Sequence, residues 1–262
     1  MTTATFPAAT RRCLIAACAL AFAAAAAPQA YGFDWGFGSG KQVRGTGHVQ
    51  RQARTTGDFS GLSLAQELPG KVEVRSGGPA GVTVEADANL LPLIETVVEN
   101  GTLRLRSRDK AMLQTEHLKI IVGGRTLERL AVEGSGDIDA DLVRGNRVQL
   151  SSSGSGDIEV DRIEGESATI SLSGSGDVKA ERGEVRDLKV SSAGSGDADL
   201  EHVQSSSAKV SIAGSGDIKV WAGKTLDVSI AGSGDVNYVG DPQVRKSVAG
   251  SGEVRRIGGA RR

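Results

Sequence analysis

The string GSGDI at residues 134–138 returns, nearly unchanged, at fixed intervals almost to the end of the chain. Its first glycine falls at 134, 154, 174, 194 and 214, twenty residues apart, and then at 232 and 250, eighteen apart, the last copy reading GSGEV. Such self-similarity constrains the fold more than any other feature, because each unit must bury its apolar face against its neighbours. A unit reads as a strand, the GSGD turn, a short second strand, a polar bend and a return strand, as in KVSIAGSGDIKVWAGKTLDVSIAG. Leucine-rich repeats share the period, but their L-x-x-L-x-L signature is missing; propeller blades need about twice the length. The expected fold is therefore all-β: a right-handed parallel β-solenoid whose chain winds once per repeat and adds one rung to each sheet. The two-residue deletion in the later units falls around Trp221–Leu226, opposite the glycine motif. One corner is thus fixed in length and the other is not.

Positions outside the motif support the winding independently. The residue two after each motif acid runs Asp139, Glu159, Lys179, Asp199, Lys219, Asn237, Arg255, and its sign alternates strictly from Glu159 to Lys219. Stacked in register, these side chains would lie about 4.8 Å apart, where opposite charges attract and like charges repel. The residue three before the motif is serine at Ser151, Ser171, Ser191, Ser211, Ser229 and Ser247. Ile158 and Val160, Val178 and Ala180, and Ile218 and Val220 read as inward pairs. Alternation then points Asp157 and Glu159 outward, and, counting from an inward Leu150, Ser151 and Ser153 as well.

The motif itself reads first as a corner. Gly134 and Gly136, and their equivalents Gly154 and Gly156, Gly174 and Gly176, Gly194 and Gly196, Gly214 and Gly216, and Gly232 and Gly234, are all expected to turn with positive φ. Asp137, Asp157, Asp177, Asp197, Asp217 and Asp235 are expected to accept a backbone N–H just after the turn. Between the glycines, Ser135, Ser155, Ser175, Ser195, Ser215 and Ser233 form a candidate binding ladder. That ribbon would be polar, rigid and about 29 Å long, suited to a repetitive partner.

Stacked aspartates repel by roughly 0.9 kcal/mol per pair in water at about 4.8 Å, so backbone N–H groups, cations or a metal must offset them. Calcium is the alternative to corner capping, since calcium-binding β-rolls alternate glycine and aspartate in a similar way. Here each corner supplies one acid and lacks the second aspartate of that repeat, so no cofactor is assigned. A phosphate cradle is excluded, because the motif leads into a strand and carries no lysine at the set distance.

Catalytic chemistry finds little footing. The three histidines read as solvated: His48 in a leader, His117 on an exposed strand face, His202 on the variable bend. No inward acid pair of the kind that glycoside-active sites need is discernible. Trp221 and Tyr238 are isolated and read as packing residues rather than a sugar platform. No catalytic residue is nominated, and an envelope polysaccharide-processing enzyme is the alternative to a non-enzymatic role.

The first thirty residues stand apart. Arg11 and Arg12 precede CLIAACALAFAAAAA, an apolar run of signal-peptide length and too short for a membrane span. Residues 1–30 therefore read as a secretory signal peptide, with a twin-arginine signal and a lipoprotein box at Cys18 as weaker readings. Both cysteines lie in it, so the mature chain would have no disulfide. Removing Arg11 and Arg12 leaves 29 basic against 32 acidic residues, which gives no electrostatic footprint for nucleic acid. No later run approaches transmembrane length.

Residues 31–55 are glycine-rich and lack periodicity, and so read as a flexible leader. Residues 56–130 read as a strand-rich region that begins the solenoid, 131–257 as the GSGD repeat, and 258–262 as a tail. KVEVRS, VTVEAD and TLRLRS alternate as strands, Asn100-Gly101 marks a type I′ hairpin, and DANLLPLI marks a helical turn kept short by Pro92.

The stretch NLLPLIETVVENGTLRLRS, followed by serial GSGD units and SIAGSGDVNYVGDP, closely resembles the GIN domain, described as a head domain of auto-transporter adhesins. The resemblance covers roughly residues 56–257. It implies a β-solenoid in an exported envelope protein, and no catalytic residues come with it. A translocator barrel is not expected after RRIGGARR. Together these readings point to a non-enzymatic, periplasmic or extracellular protein used for binding, adhesion or scaffolding. Its partner would be an envelope component or a polysaccharide.

Overall fold

The computed structural model describes residues 41–76, 81–124 and 126–259. The signal-peptide reading, residues 31–40 of the leader and the last three residues of the tail lie outside the described residues. Strands form one sheet of ten and another of eleven, besides a two-stranded pair. In the repeat each strand pairs in parallel with its equivalent one coil on, as Ile158 with Val178, Val178 with Ala198, Ala198 with Ile218 and Ile218 with Val236. The fold is a β-solenoid of about six turns.

One coil shows how the sequence makes the shape. Val143–Gly154 is a long strand, GSGD turns the corner, and Ile158–Val160 runs back in the other sheet. Val143 and Val148 are both buried although five residues apart, and the pairing with the next coil skips Asn146. Strand alternation cannot bury both, so the long strand bends there and serves two faces. In the shortened units this segment shrinks from the twelve residues of Val203–Gly214 to the eight of Thr225–Gly232.

The core is built from in-register columns such as Leu130, Leu150, Ile170, Val190, Val210 and Val228, all at most 4% exposed. Stacked medium-sized side chains fill it, and Phe59 is the one aromatic ring in it among the described residues. That is how a chain with 3% aromatics still builds a continuous core.

The N-terminal part closes the adjacent end with antiparallel strands. Ile94–Glu99 and Thr102–Ser107 form a hairpin whose turn residues Asn100 (φ 50) and Gly101 (φ 71) both have positive φ, as a type I′ turn requires. The helical turn at Leu91–Leu93 contains Pro92 and is tied down by the Arg54 guanidinium, which donates to the carbonyls of Leu91 (2.8 Å) and Ile94.

Two expectations need correction here. Residues 41–55 are not an unstructured leader: Gln42–Arg44 and Val49–Arg54 are strands, the latter antiparallel to Gly81–Asp87. VQRQAR is mostly polar and largely exposed, so backbone pairing rather than burial holds it, and no alternation betrays it in the sequence. His117 is exposed, but it sits in the bend before Lys119–Gly123 rather than on the strand. No helix among the described residues is long and apolar enough to cross a membrane.

Candidate functional site

The repeated corner is the most regular surface of the molecule. Its first glycine has positive φ in every coil, from 106° at Gly134 to 147° at Gly214, as expected. The second glycine does not, which corrects the sequence reading. It is buried, and its requirement is closeness: a Cβ on Gly156 would lie 2.1 Å from the Gly136 carbonyl oxygen, and one on Gly176 would lie 2.2 Å from that of Gly156. Gly196, Gly216, Gly234 and Gly252 repeat the contact. Backbone stacks on backbone there, and no side chain fits.

The aspartates also act differently from the expectation. Each carboxylate accepts not from its own turn but from the equivalent residue one coil on. The N–H of Asp157 donates to Asp137 Oδ1 (3.0 Å), that of Asp177 to Asp157 (2.8 Å), and that of Asp197 to Asp177 (2.8 Å). Asp217, Asp235 and Glu253 continue the chain at 2.7, 2.8 and 2.8 Å. Each aspartate of the ladder, from Asp137 to Asp235, is therefore paired with a backbone N–H, which offsets the repulsion of stacked carboxylates. Ser135, Ser155, Ser175, Ser195, Ser215 and Ser233 are exposed beside this ladder. Among the described residues none of their hydroxyls has a hydrogen-bond partner, so the ribbon presents free hydroxyls on a fixed backbone. No group of three or more His, Cys, Asp or Glu among the described residues could hold a metal ion.

Ser152 and Ser192 were missed by the sequence reading. They occupy core positions between Val132, Leu172 and Ile212, are 2% and 4% exposed, and donate to the carbonyls of Gly156 (2.6 Å) and Gly196 (3.2 Å). The signal was present: alternation from the inward Leu150 places Ser152 inside, and a buried hydroxyl must find an acceptor.

The charged column forms in register: Glu159 faces Lys179, Lys179 faces Asp199, and Asp199 faces Lys219. Its pairing is partly local. Lys219 reaches Asp199 across coils (2.9 Å), whereas Lys179 bonds Glu181 on its own coil (2.7 Å). Both lysines are held above the ordinary value by these hydrogen bonds and by the charges behind them.

On the variable side a groove of about 1040 Å³ crosses four coils. Arg182, Glu184, Arg186, Gln204, Trp221 and Lys224 line it. Trp221 is half-buried there, with its carbonyl accepting from the buried Ser205 hydroxyl (2.5 Å), and Tyr238 packs against the core. His202 lies at the same bend.

The glycine corner, the aspartate ladder and the exposed serines define a repeat protein of the parallel β-solenoid class. The chain belongs to the family described as "Putative auto-transporter adhesin, head GIN domain", which matches residues 58–242. Its fold is that of solved bacterial proteins. One, described as a putative lipid binding protein from Parabacteroides distasonis, is 26% identical, with TM-score 0.69 over 83% of this chain and all of that one. A putative adhesin from Bacteroides fragilis is 20% identical, with TM-score 0.75 over 82% of this chain and all of the other. A putative adhesin from Parabacteroides merdae is 18% identical, with TM-score 0.63 over 83% of this chain and 99% of the other. No curated protein matches the chain in sequence.

Proposed function

We propose that this chain is an exported, non-enzymatic envelope protein whose solenoid serves as a rigid adhesive surface for a polysaccharide or another envelope component. The observation that carries this reading is the corner ribbon, where partner-free serine hydroxyls repeat once per coil on a backbone locked by the aspartate ladder. A surface ordered before contact loses little conformational entropy on binding, and a repeating partner can engage several rungs at once. Membership of an adhesin head-domain family supports the same role, and an adhesive role suits an exported protein. The apolar run behind Arg11 and Arg12 supplies an export signal for it.

The test is retention of purified protein on beads carrying envelope extract or purified envelope polysaccharide. Replacing Ser175, Ser195 and Ser215 together with alanine should lower retention without lowering Tm, since those side chains are exposed. Unchanged retention would move the adhesive surface away from the corner. Absence of retention on every envelope preparation, or release of new reducing ends from the polysaccharide, would overturn the reading.

A further inference from the structure

The last coil departs from the others at one core position. The inward column that runs through Val190, Val210 and Val228 ends on Lys246. On either side of it Val244 and Val248 continue the columns of Leu226 and Ile230, yet they are 37% and 40% exposed. Gln243–Gly250 is the outermost strand of its sheet and Val254–Gly258 that of the other, so each has one unpaired edge among the described residues. Arg245, Lys246, Arg255 and Arg256 stand on these strands with Glu253 between them, whereas the chain before residue 243 holds 25 basic and 31 acidic residues. Arg245 leans on Asp227 at 3.9 Å and Arg255 is bonded to Glu253, while Lys246 has no ion-pair partner among the described residues.

We propose that this open end takes up an extended, acidic segment of another protein as one further strand, and that Lys246 selects the sequence it accepts. A strand added to Gln243–Gly250 covers Val244, Lys246 and Val248 together. It gains main-chain hydrogen bonds along the free edge, and its alternate side chains decide specificity. Covering the Lys246 ammonium without a counter-charge is costly, so the incoming strand must place a carboxylate opposite it. Its pattern is apolar, any, acidic, any, apolar, which reads the same in either strand direction. A purely apolar strand is rejected because it strands the charge. A second copy of this end is rejected because it brings two sets of Arg245 and Lys246 together. The proposal is independent of the corner ribbon and stands or falls separately from it.

Titration calorimetry of the whole protein with two synthetic peptides tests this: Gly-Ser-Val-Thr-Glu-Thr-Val-Ser-Gly and its counterpart with lysine in place of glutamate. The glutamate peptide should bind at least about tenfold more tightly, and added salt should shrink the difference. Lys246→Glu should reverse the preference, while Lys189→Glu, exposed three coils before the open edge, should leave it unchanged. Lys246 is exposed, so the variant should melt as the wild type does; if it does not fold, the salt dependence of the wild-type preference decides. Equal binding of the two peptides, binding of neither, or concentration-dependent self-association of the wild type in sedimentation would overturn the proposal.

Discussion

The N-terminal region and the repeat coils hold the same solenoid together by different means. In the N-terminal region single side chains act once each. Asp87, 1% exposed, accepts from the Gly47 amide and the Thr115 hydroxyl, both at 2.6 Å, and thereby ties two loops to one strand. Asp141 holds the amide and hydroxyl of Ser76 at 2.8–3.0 Å, and Arg54 holds the helical turn. In the repeat the main contacts recur from coil to coil. Glycine backbones touch coil to coil, and one hydrogen bond, donated by the N–H of each motif acid to the aspartate one coil before it, recurs along the corners. A cap must stop a periodic structure and so needs unique contacts, whereas a coil must match the coils on both sides and so reuses one solution.

That contrast can be broken most severely at a stacked glycine. Gly176→Ala puts a Cβ 2.2 Å from the Gly156 carbonyl oxygen and 2.7 Å from Ser152 Oγ, with coils on both sides that cannot give way. It should cost about 1–3 kcal/mol or more, read as a large fall in Tm. A small change there would mean that the coils can spread.

The cap is tested next, through pH. The Thr115 hydroxyl first, with the Gly47 amide behind it, holds the Asp87 carboxyl below its ordinary value of 3.8. A folded-state value below the unfolded one means that this stabilisation is complete above the unfolded value and lost as pH falls through the folded one. Asp87→Asn should lower Tm at neutral pH and flatten its fall on acidification, as followed in melts at stepped pH. A parallel fall in both proteins would assign acid sensitivity elsewhere.

Within the repeat, Asp177→Ala removes the acceptor for the Asp197 N–H and should cost about 1 kcal/mol. Asp177→Asn keeps an acceptor oxygen and relieves charge, so its Tm should stay at or above that of the wild type. Equal losses in the two variants would show that the ladder needs charge rather than geometry.

The smallest effect belongs to the exposed column. Lys179→Glu sets acids at 159, 179 and 199 in a row and loses the bond to Glu181. Tm should drop slightly, with partial recovery on adding Glu159→Lys and Asp199→Lys. Strict additivity in the melts would show that these residues do not interact.

Much of this was legible in the chain. The twenty-residue interval implied one turn of solenoid, and the in-register columns of Ser151, Ser171 and Ser191 follow from it. The Asn100-Gly101 hairpin was readable because a two-residue type I′ turn demands positive φ from both residues. The Val49–Arg54 strand was not readable, because its pairing uses backbone groups that every sequence carries.

By itself, then, the sequence determined the winding, the apolar inside and the fixed corner, since period and alternation are properties of the chain read along its length. Only the tertiary structure decided that Gly156 is needed because a Cβ there would lie 2.1 Å from the Gly136 carbonyl oxygen, and not for its φ. It alone decided that Asp157 serves the coil after its own, and that Lys246 closes a column of valines. Those facts depend on which atoms meet across neighbouring coils, a distance that no local pattern encodes.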